Sequence, residues 1–307
     1  MKYPSYLELL EKGELQKRIE ALYELLSPCR LCPNECKVDR LSGEKGYCKV
    51  GAKPIVASYG PHFGEERPLV GKSGSGTIFF TYCNMACVYC QNWEISHLGE
   101  GEEISVETLA KIMLILQVWG CHNINLVTPT HQVPCIVEAI KIAAEQGLNL
   151  PIVYNCGGYE SLETLKLLEG IIDIYMPDIK YMDNAVALKL SKVKNYREVV
   201  RDAVKEMHRQ VGDLILENGI AKRGLIVRHL VLPGDLSQTE EVIKFIAEEI
   251  SQNTYFNLMD QYRPCGDAWK YPPLDRMITK EEWNRALDFA KKYGLKRLDD
   301  RRARYWD

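Results

Sequence analysis

Residues 77–90 read Thr77-Ile-Phe-Phe-Thr-Tyr-Cys83-Asn-Met-Ala-Cys87-Val-Tyr-Cys90. The run before Cys83 is apolar, aromatic and β-branched, which is the composition of a short buried strand. Three cysteines follow it at once in CxxxCxxC spacing. The strand signal recurs downstream over 123–130, 151–158, 171–181, 224–234 and 255–262. Helical periodicity separates these runs over 105–120, 133–147, 161–170 and on to about residue 209. Ser237 with Glu240, and Thr279 with Glu282, have capping-box spacing and predict the starts of two further helices. Six strand–helix units predict a parallel sheet, either a partial barrel or an open doubly wound sheet. Periodicity alone does not choose between them. In both forms the working residues belong at the carboxyl ends of the strands.

Upstream, Leu7, Leu10, Leu15, Ile19, Leu22 and Leu26 predict helix within residues 1–27. Residues 28–76 carry Pro28, Pro33, Pro54, Pro61 and Pro68 among many glycines, and read as a loop-rich segment. The expected division is therefore an N-terminal helix with a cysteine-bearing segment over 1–76, an α/β unit over 77–295 and a charged tail over 296–307. The chain has 307 residues, 46% hydrophobic and 26% charged, with a net charge of −3. That balance argues against a nucleic-acid coat or a binder of anionic membranes. No apolar run approaches the ~20 residues of a membrane span. The first residues lack the apolar core of a secretory signal, so the expected location is cytoplasmic, with no membrane partner. In a reducing compartment the eleven cysteines are poorly explained by disulfides. Two tight groups of them, 29/32/36/48 and 83/87/90, read as metal sites.

The chemistry of the second group follows by subtraction. A 4Fe–4S cluster is usually held by four thiolates. Cys83, Cys87 and Cys90 leave one iron without a protein ligand, free to chelate the amino and carboxylate groups of S-adenosylmethionine (SAM). Zinc completed by a distant fourth ligand, or three structural cysteines, are the alternatives.

With these residues on the page, the chain resembles the radical SAM superfamily. Within it, the likeness is to the uncharacterised homologs of pyruvate formate-lyase activating enzyme. The resemblance rests on CRLCPNEC with Cys48, on residues 74–96, and on YMPDIKY (175–181), IVRHLVLPG (226–234) and NLMDQYRP (257–264). It implies a partial (β/α)6 barrel with SAM across its open mouth. Cys83, Cys87 and Cys90 match the cluster ligands, and Tyr89 matches an aromatic near the adenine. Asp178 and Lys180 match a pair that contacts SAM, and Arg228 matches a basic residue near its methionine moiety. The resemblance also implies an electron donor such as flavodoxin or ferredoxin, and a substrate that is a protein in the activases. One departure is that the Gly-Gly-Glu-like segment expected after the second strand is replaced by Thr128-Pro129-Thr130-His131, while Gly157-Gly158-Tyr159-Glu160 follows the third. Either backbone carbonyls with Thr128 or Thr130 then hold the SAM amino group, or the strand count is off; Asn155 is a further candidate to face SAM.

Cys29, Cys32, Cys36 and Cys48 supply four ligands within twenty residues. They suit structural zinc or a second 4Fe–4S cluster, and spacing does not separate the two. The activases place extra cysteines after their CxxxCxxC motif; here the group precedes it. His131 is a further candidate contact at a strand end. His62, Glu65 and Glu66 read as a surface loop, and Cys121, Cys135, Cys156 and Cys265 as small buried hydrophobes. Three functions compete: a radical enzyme acting on a protein, one acting on a small molecule or nucleic acid, and a non-catalytic zinc or iron–sulfur protein.

Overall fold

The computed structural model describes residues 3–299. Its frame is one sheet. The ten strands are β1 (Ile55–His62), β2 (Ser75–Phe80), β3 (Glu102–Glu103), β4 (Ile124–Val127), β5 (Ile152–Cys156), β6 (Ile174–Pro177), β7 (Ile215–Glu217), β8 (Ile220–Leu230), β9 (Tyr255–Met259) and β10 (Arg297–Leu298). The order across the sheet is β10-β9-β8-β6-β5-β4-β2-β1-β3, with β7 paired to β8. From β2 to β9 every ladder on this path is parallel, and each successive strand lies beside the last without reversal. A doubly wound sheet must reverse direction at a switch point. Right-handed crossovers that always advance one way put every helix on one face and curl the sheet. The topology therefore settles the choice left open by periodicity. This is an α/β partial barrel of six main strands that stops short of closure.

The helices are α1 (Tyr6–Glu11), α2 (Glu14–Glu24), α3 (Arg67–Val70), α4 (Val106–Val118), α5 (Val133–Glu145), α6 (Leu162–Leu167), α7 (Asn184–Ser191), α8 (Tyr196–Val211), α9 (Thr239–Phe245) and α10 (Lys280–Lys292). The outer layer packs α2 on α5, α5 on α4, α8 on α6 and α10 on α9. The expected N-terminal helix is split by Gly13, which takes φ +69°, a conformation that glycine adopts without steric cost. Thr279 and Glu282 form the anticipated capping box of α10. Ser237 does not cap α9. That helix starts at Thr239, and the Ser237 hydroxyl accepts the Leu232 N–H instead.

The sheet does not begin at residue 77. β1 lies in the supposed loop-rich segment and pairs antiparallel with β2. Its Gly60 and Pro61 hid it; β3 covers only Ile55 and Val56, so Pro61 has no strand on its outer side, and this explains how it is tolerated. At the other end, Arg297–Leu298 add β10 beside β9, and the rest of the charged tail from residue 300 lies outside the described residues. β8 starts earlier than anticipated because Asn218-Gly219, at φ +52° and +81°, turns a hairpin from β7. Between β1 and β2 the chain enters the barrel's interior. Leu69 on α3 is buried with Val153, Ile174, Met176 and Ile226 from β5, β6 and β8. Among the described residues no helix is long and apolar enough to cross a membrane.

Candidate active site

β2 is buried along nearly its whole length, as a strand covered on both faces must be. Two residues past its end, Tyr82 takes φ +65°, a sharp turn that leaves Cys83 at the strand's carboxyl end. Thr128 does the same after β4 at φ +58°, with its N–H held by the Asn155 carbonyl at 2.8 Å. Non-glycine residues in this region are uncommon and gather at functional sites.

A cavity of about 290 Å³ opens at this edge. Cys83, Cys87, Cys90, Tyr89, Thr128, Asn155, Asp178, Lys180 and Arg228 all line it. Each cysteine sulfur has a donor: the Met85 N–H to Cys83 at 3.3 Å, the Ser191 hydroxyl to Cys87 at 3.0 Å and the Ser96 hydroxyl to Cys90 at 3.1 Å. Burial raises the Cys87 thiol, with Lys180 pulling the other way. Gly157 also lines the cavity. A Cβ there would lie 2.8 Å from the Met85 sulfur, so the bare glycine lets Met85 of the cysteine loop pack against β5's end.

Facing the thiols is an ionic network. Arg228 Nε donates to Asp178 Oδ1 at 2.6 Å and its Nη2 to Asn155 Oδ1 at 2.6 Å. Lys180 Nζ donates to Asp178 Oδ2 at 3.0 Å. Burial pushes the Asp178 carboxyl up, but Arg228 and Lys180 outweigh it and hold it below its ordinary value. The four side chains present cations, an anion and an amide at one edge.

Glu65, read above as part of a surface loop, is buried and lies 3.3 Å from Arg228 Nη1. Glu66 is also buried and accepts from Asn257 Nδ2 at 2.6 Å. His62 of that trio is half-buried. Sequence gave no sign of this, because the partners come from distant strands. Ser96, Ser191, Met259 and Gln261 were missed as well; serine hydroxyls and neutral side chains carry no spacing signal. His131 is not in the cavity. It is buried, with Nε2 at 2.8 Å from the Thr81 carbonyl, and burial pushes its imidazole down to about 4. The strand count proves right at the departure noted above, since Gly157–Glu160 follows β5, the third of the six. Glu160 points inward, accepting from Thr130 at 2.7 Å and Tyr154 at 2.9 Å, and burial pushes its carboxyl up to about 7. Tyr89 keeps its ring at the cavity while its hydroxyl meets that of Tyr181. Cys29, Cys32, Cys36 and Cys48 lie outside the cavity. Among the described residues no three His, Cys, Asp or Glu side chains gather tightly enough to enclose a single metal ion.

Fold and site define a partial α/β barrel with thiols and an amino-acid-sized polar cradle at its carboxyl edge. Residues 77–246 match the radical SAM superfamily. The chain is 33% identical over 304 residues to uncharacterized protein MJ0674 of Methanocaldococcus jannaschii, spanning 96% of this chain and 83% of that one. It is 30% identical over 132 residues to the pyruvate formate-lyase-activating enzyme of Clostridium pasteurianum, spanning 40% of this chain and 53% of that one. HydG, a maturase of the [FeFe]-hydrogenase, shares the fold at a TM-score of 0.50 and 13% identity, over 72% of this chain and 50% of that one. The chain belongs to the radical SAM superfamily. Membership implies a 4Fe–4S cluster, SAM and SAM-dependent radical chemistry. The residues present fit both groups: soft sulfur donors suit iron–sulfur, and mixed charges suit a zwitterion.

Proposed function

We propose that Cys83, Cys87 and Cys90 ligate the 4Fe–4S cluster and that the opposite wall receives SAM. The observation carrying this reading is that all nine of those side chains, scattered from residue 83 to residue 228, line one cavity. When bound, the cluster supplies an electron to the SAM sulfonium, giving methionine and a 5′-deoxyadenosyl radical that takes hydrogen from the substrate. Lys180 has three N–H donors, only one of which is directed at Asp178, so it offers the rest to a carboxylate. Asp178 and Asn155, oriented by Arg228, offer oxygens to an ammonium group. Thr128 supplies a hydroxyl at the same rim, and Tyr89 an aromatic face for the adenine. Ser191 and Ser96 stabilise thiolate charge at Cys87 and Cys90.

The substrate is a peptide or protein segment presented at the mouth. Two facts support this. The cavity is at the small end of the roughly 300–1,000 Å³ typical of ligand sites, leaving little enclosed room beyond SAM. The second fact is the similarity to an enzyme that activates another protein. A flavodoxin or ferredoxin supplies the electron. Anaerobic protein reconstituted with iron and sulfide, then given dithionite and SAM, is expected to release equal methionine and 5′-deoxyadenosine by mass spectrometry. The Cys83→Ala variant should release neither. Cleavage that persists in that variant contradicts the ligand assignment. A rise in yield with small metabolites or RNA, and none with peptides, contradicts the substrate class.

A further inference from the structure

A second constellation lies outside the cavity, at Cys29, Cys32, Cys36 and Cys48. Three of these are buried and Cys36 is half-buried. The Tyr47 N–H donates to Cys36 Sγ at 3.2 Å. A neutral thiol is a weak acceptor, whereas a thiolate accepts strongly, so that donor is better matched by ionised sulfur.

The backbone tells the same story. Glu35 and Lys37 flank Cys36 at φ +39° and +61°, and Lys49 follows Cys48 at +59°. Such conformations persist in non-glycine residues where the surroundings over-determine them. A Cβ on Gly46 would lie 2.8 Å from the Cys36 sulfur, so that turn must be glycine to wrap the thiol.

Arg40 supplies an independent observation. It is 2% exposed. Its guanidinium donates to the Gly51 carbonyl at 3.1 and 2.6 Å and to the His131 carbonyl at 2.8 Å. Among the described residues it pairs with no carboxylate. Arg40 lies between Cys36 and Cys48, so these bonds tie the cysteine segment to the barrel.

We infer that Cys29, Cys32, Cys36 and Cys48 hold a closed tetrathiolate 4Fe–4S cluster, a cage wider than a single ion needs. The centre braces the reaction loop. Asn34, between Cys32 and Cys36, donates to the Asn84 carbonyl at 2.7 Å, and Asn84 Nδ2 donates to the Tyr159 carbonyl at 2.7 Å. This inference does not depend on SAM cleavage.

The test uses the full chain carrying Cys83→Ala, Cys87→Ala and Cys90→Ala, so that other clustered thiols are gone. One portion is loaded anaerobically with zinc, another with iron and sulfide, and each is desalted and assayed. About four irons with matching sulfide should remain per chain, and better retention of zinc overturns the inference. Adding Cys36→Ser should lose the iron and sulfide. Thiol titration gives a second readout: metal should shield these four cysteines from a chromogenic disulfide reagent. Retention of neither metal by the folded triple variant, full retention after Cys36→Ser, or equal thiol reactivity with and without metal overturns the inference.

Discussion

The two cysteine groups solve opposite problems with the same side chain. At 83/87/90 three sulfurs stand on the wall of a cavity, two of them hydrogen-bonded by serine hydroxyls, with Lys180 and Arg228 across the opening. At 29/32/36/48 four sulfurs lie away from that cavity, and the Cys36 sulfur is met by the Tyr47 backbone N–H. The contrast parallels that between catalytic and structural metal sites, in which the first keeps a position open and the second is closed. An incomplete thiol set beside a charged cradle suits a reaction; a complete set away from the cavity suits a brace.

The comparison breaks most decisively at Cys87. Cys87→Ala should lower SAM cleavage by more than about a thousandfold, since losing the group that holds the reacting centre leaves little beyond background. The same protein should keep whatever metal resides at the N-terminal group. Parallel assays of 5′-deoxyadenosine and of metal content check both halves. Joint loss of both would show that the two groups are one site.

Asp178→Asn comes next. It removes a carboxylate shared by Arg228 and Lys180, both mostly buried. Breaking such a pair costs about 3 kcal/mol, and the charge cradle for SAM is spoiled at the same time. Urea denaturation and calorimetric SAM binding of the anaerobic protein are expected to show lower stability together with weaker binding. The N-terminal metal should be unaffected.

Next to Tyr159, whose carbonyl accepts from Asn84, stands the buried Glu160, and it gives the pH prediction. Burial raises the Glu160 carboxyl from 4.5 to about 7, so between those values the native state holds a proton that the unfolded chain has released. Stability should therefore fall as pH rises from about 4.5 to 7 and level off above, by roughly 3 kcal/mol at most. Glu160→Gln should flatten that slope. Denaturation midpoints measured across the range decide it, and an unchanged slope in the variant assigns the pH dependence elsewhere.

Much of the barrel was legible because its signals are local. A short apolar run, a helix period and CxxxCxxC spacing each fit inside a few residues, and six strands in alternation left two fold classes to choose between. What chose was pairing order, which no single segment contains. The plug over residues 62–70 was illegible for the same reason. Glu65 meets Arg228 across 163 positions, and Glu66 meets Asn257 across 191, within a stretch whose glycines and prolines signal loop. Arg40 was missed because a buried arginine looks like any surface arginine until its partner, the His131 carbonyl 91 positions away, is seen. The capping signal at Ser237 failed because its hydroxyl had a nearer tertiary use at Leu232.

The smallest expected effect sharpens the contrast between hydroxyl and backbone donors. Ser191→Ala and Ser96→Ala each remove one donor to a sulfur at the cavity. Fewer hydrogen bonds leave more charge on sulfur and should lower the cluster's potential, on the order of tens of millivolts. Potentiometric titration checks this, and an unchanged potential in both variants would mean that these hydroxyls do not reach the ligating sulfurs.

The central claim is that three thiols leave a corner of the cluster free for SAM. The electron paramagnetic resonance spectrum of the dithionite-reduced, reconstituted protein with and without SAM tests it most directly, using the Cys29→Ala variant if a second paramagnetic centre overlaps. The account predicts a clear change in the cluster's g values when SAM binds. A reduced cluster whose spectrum is the same with and without saturating SAM would contradict it.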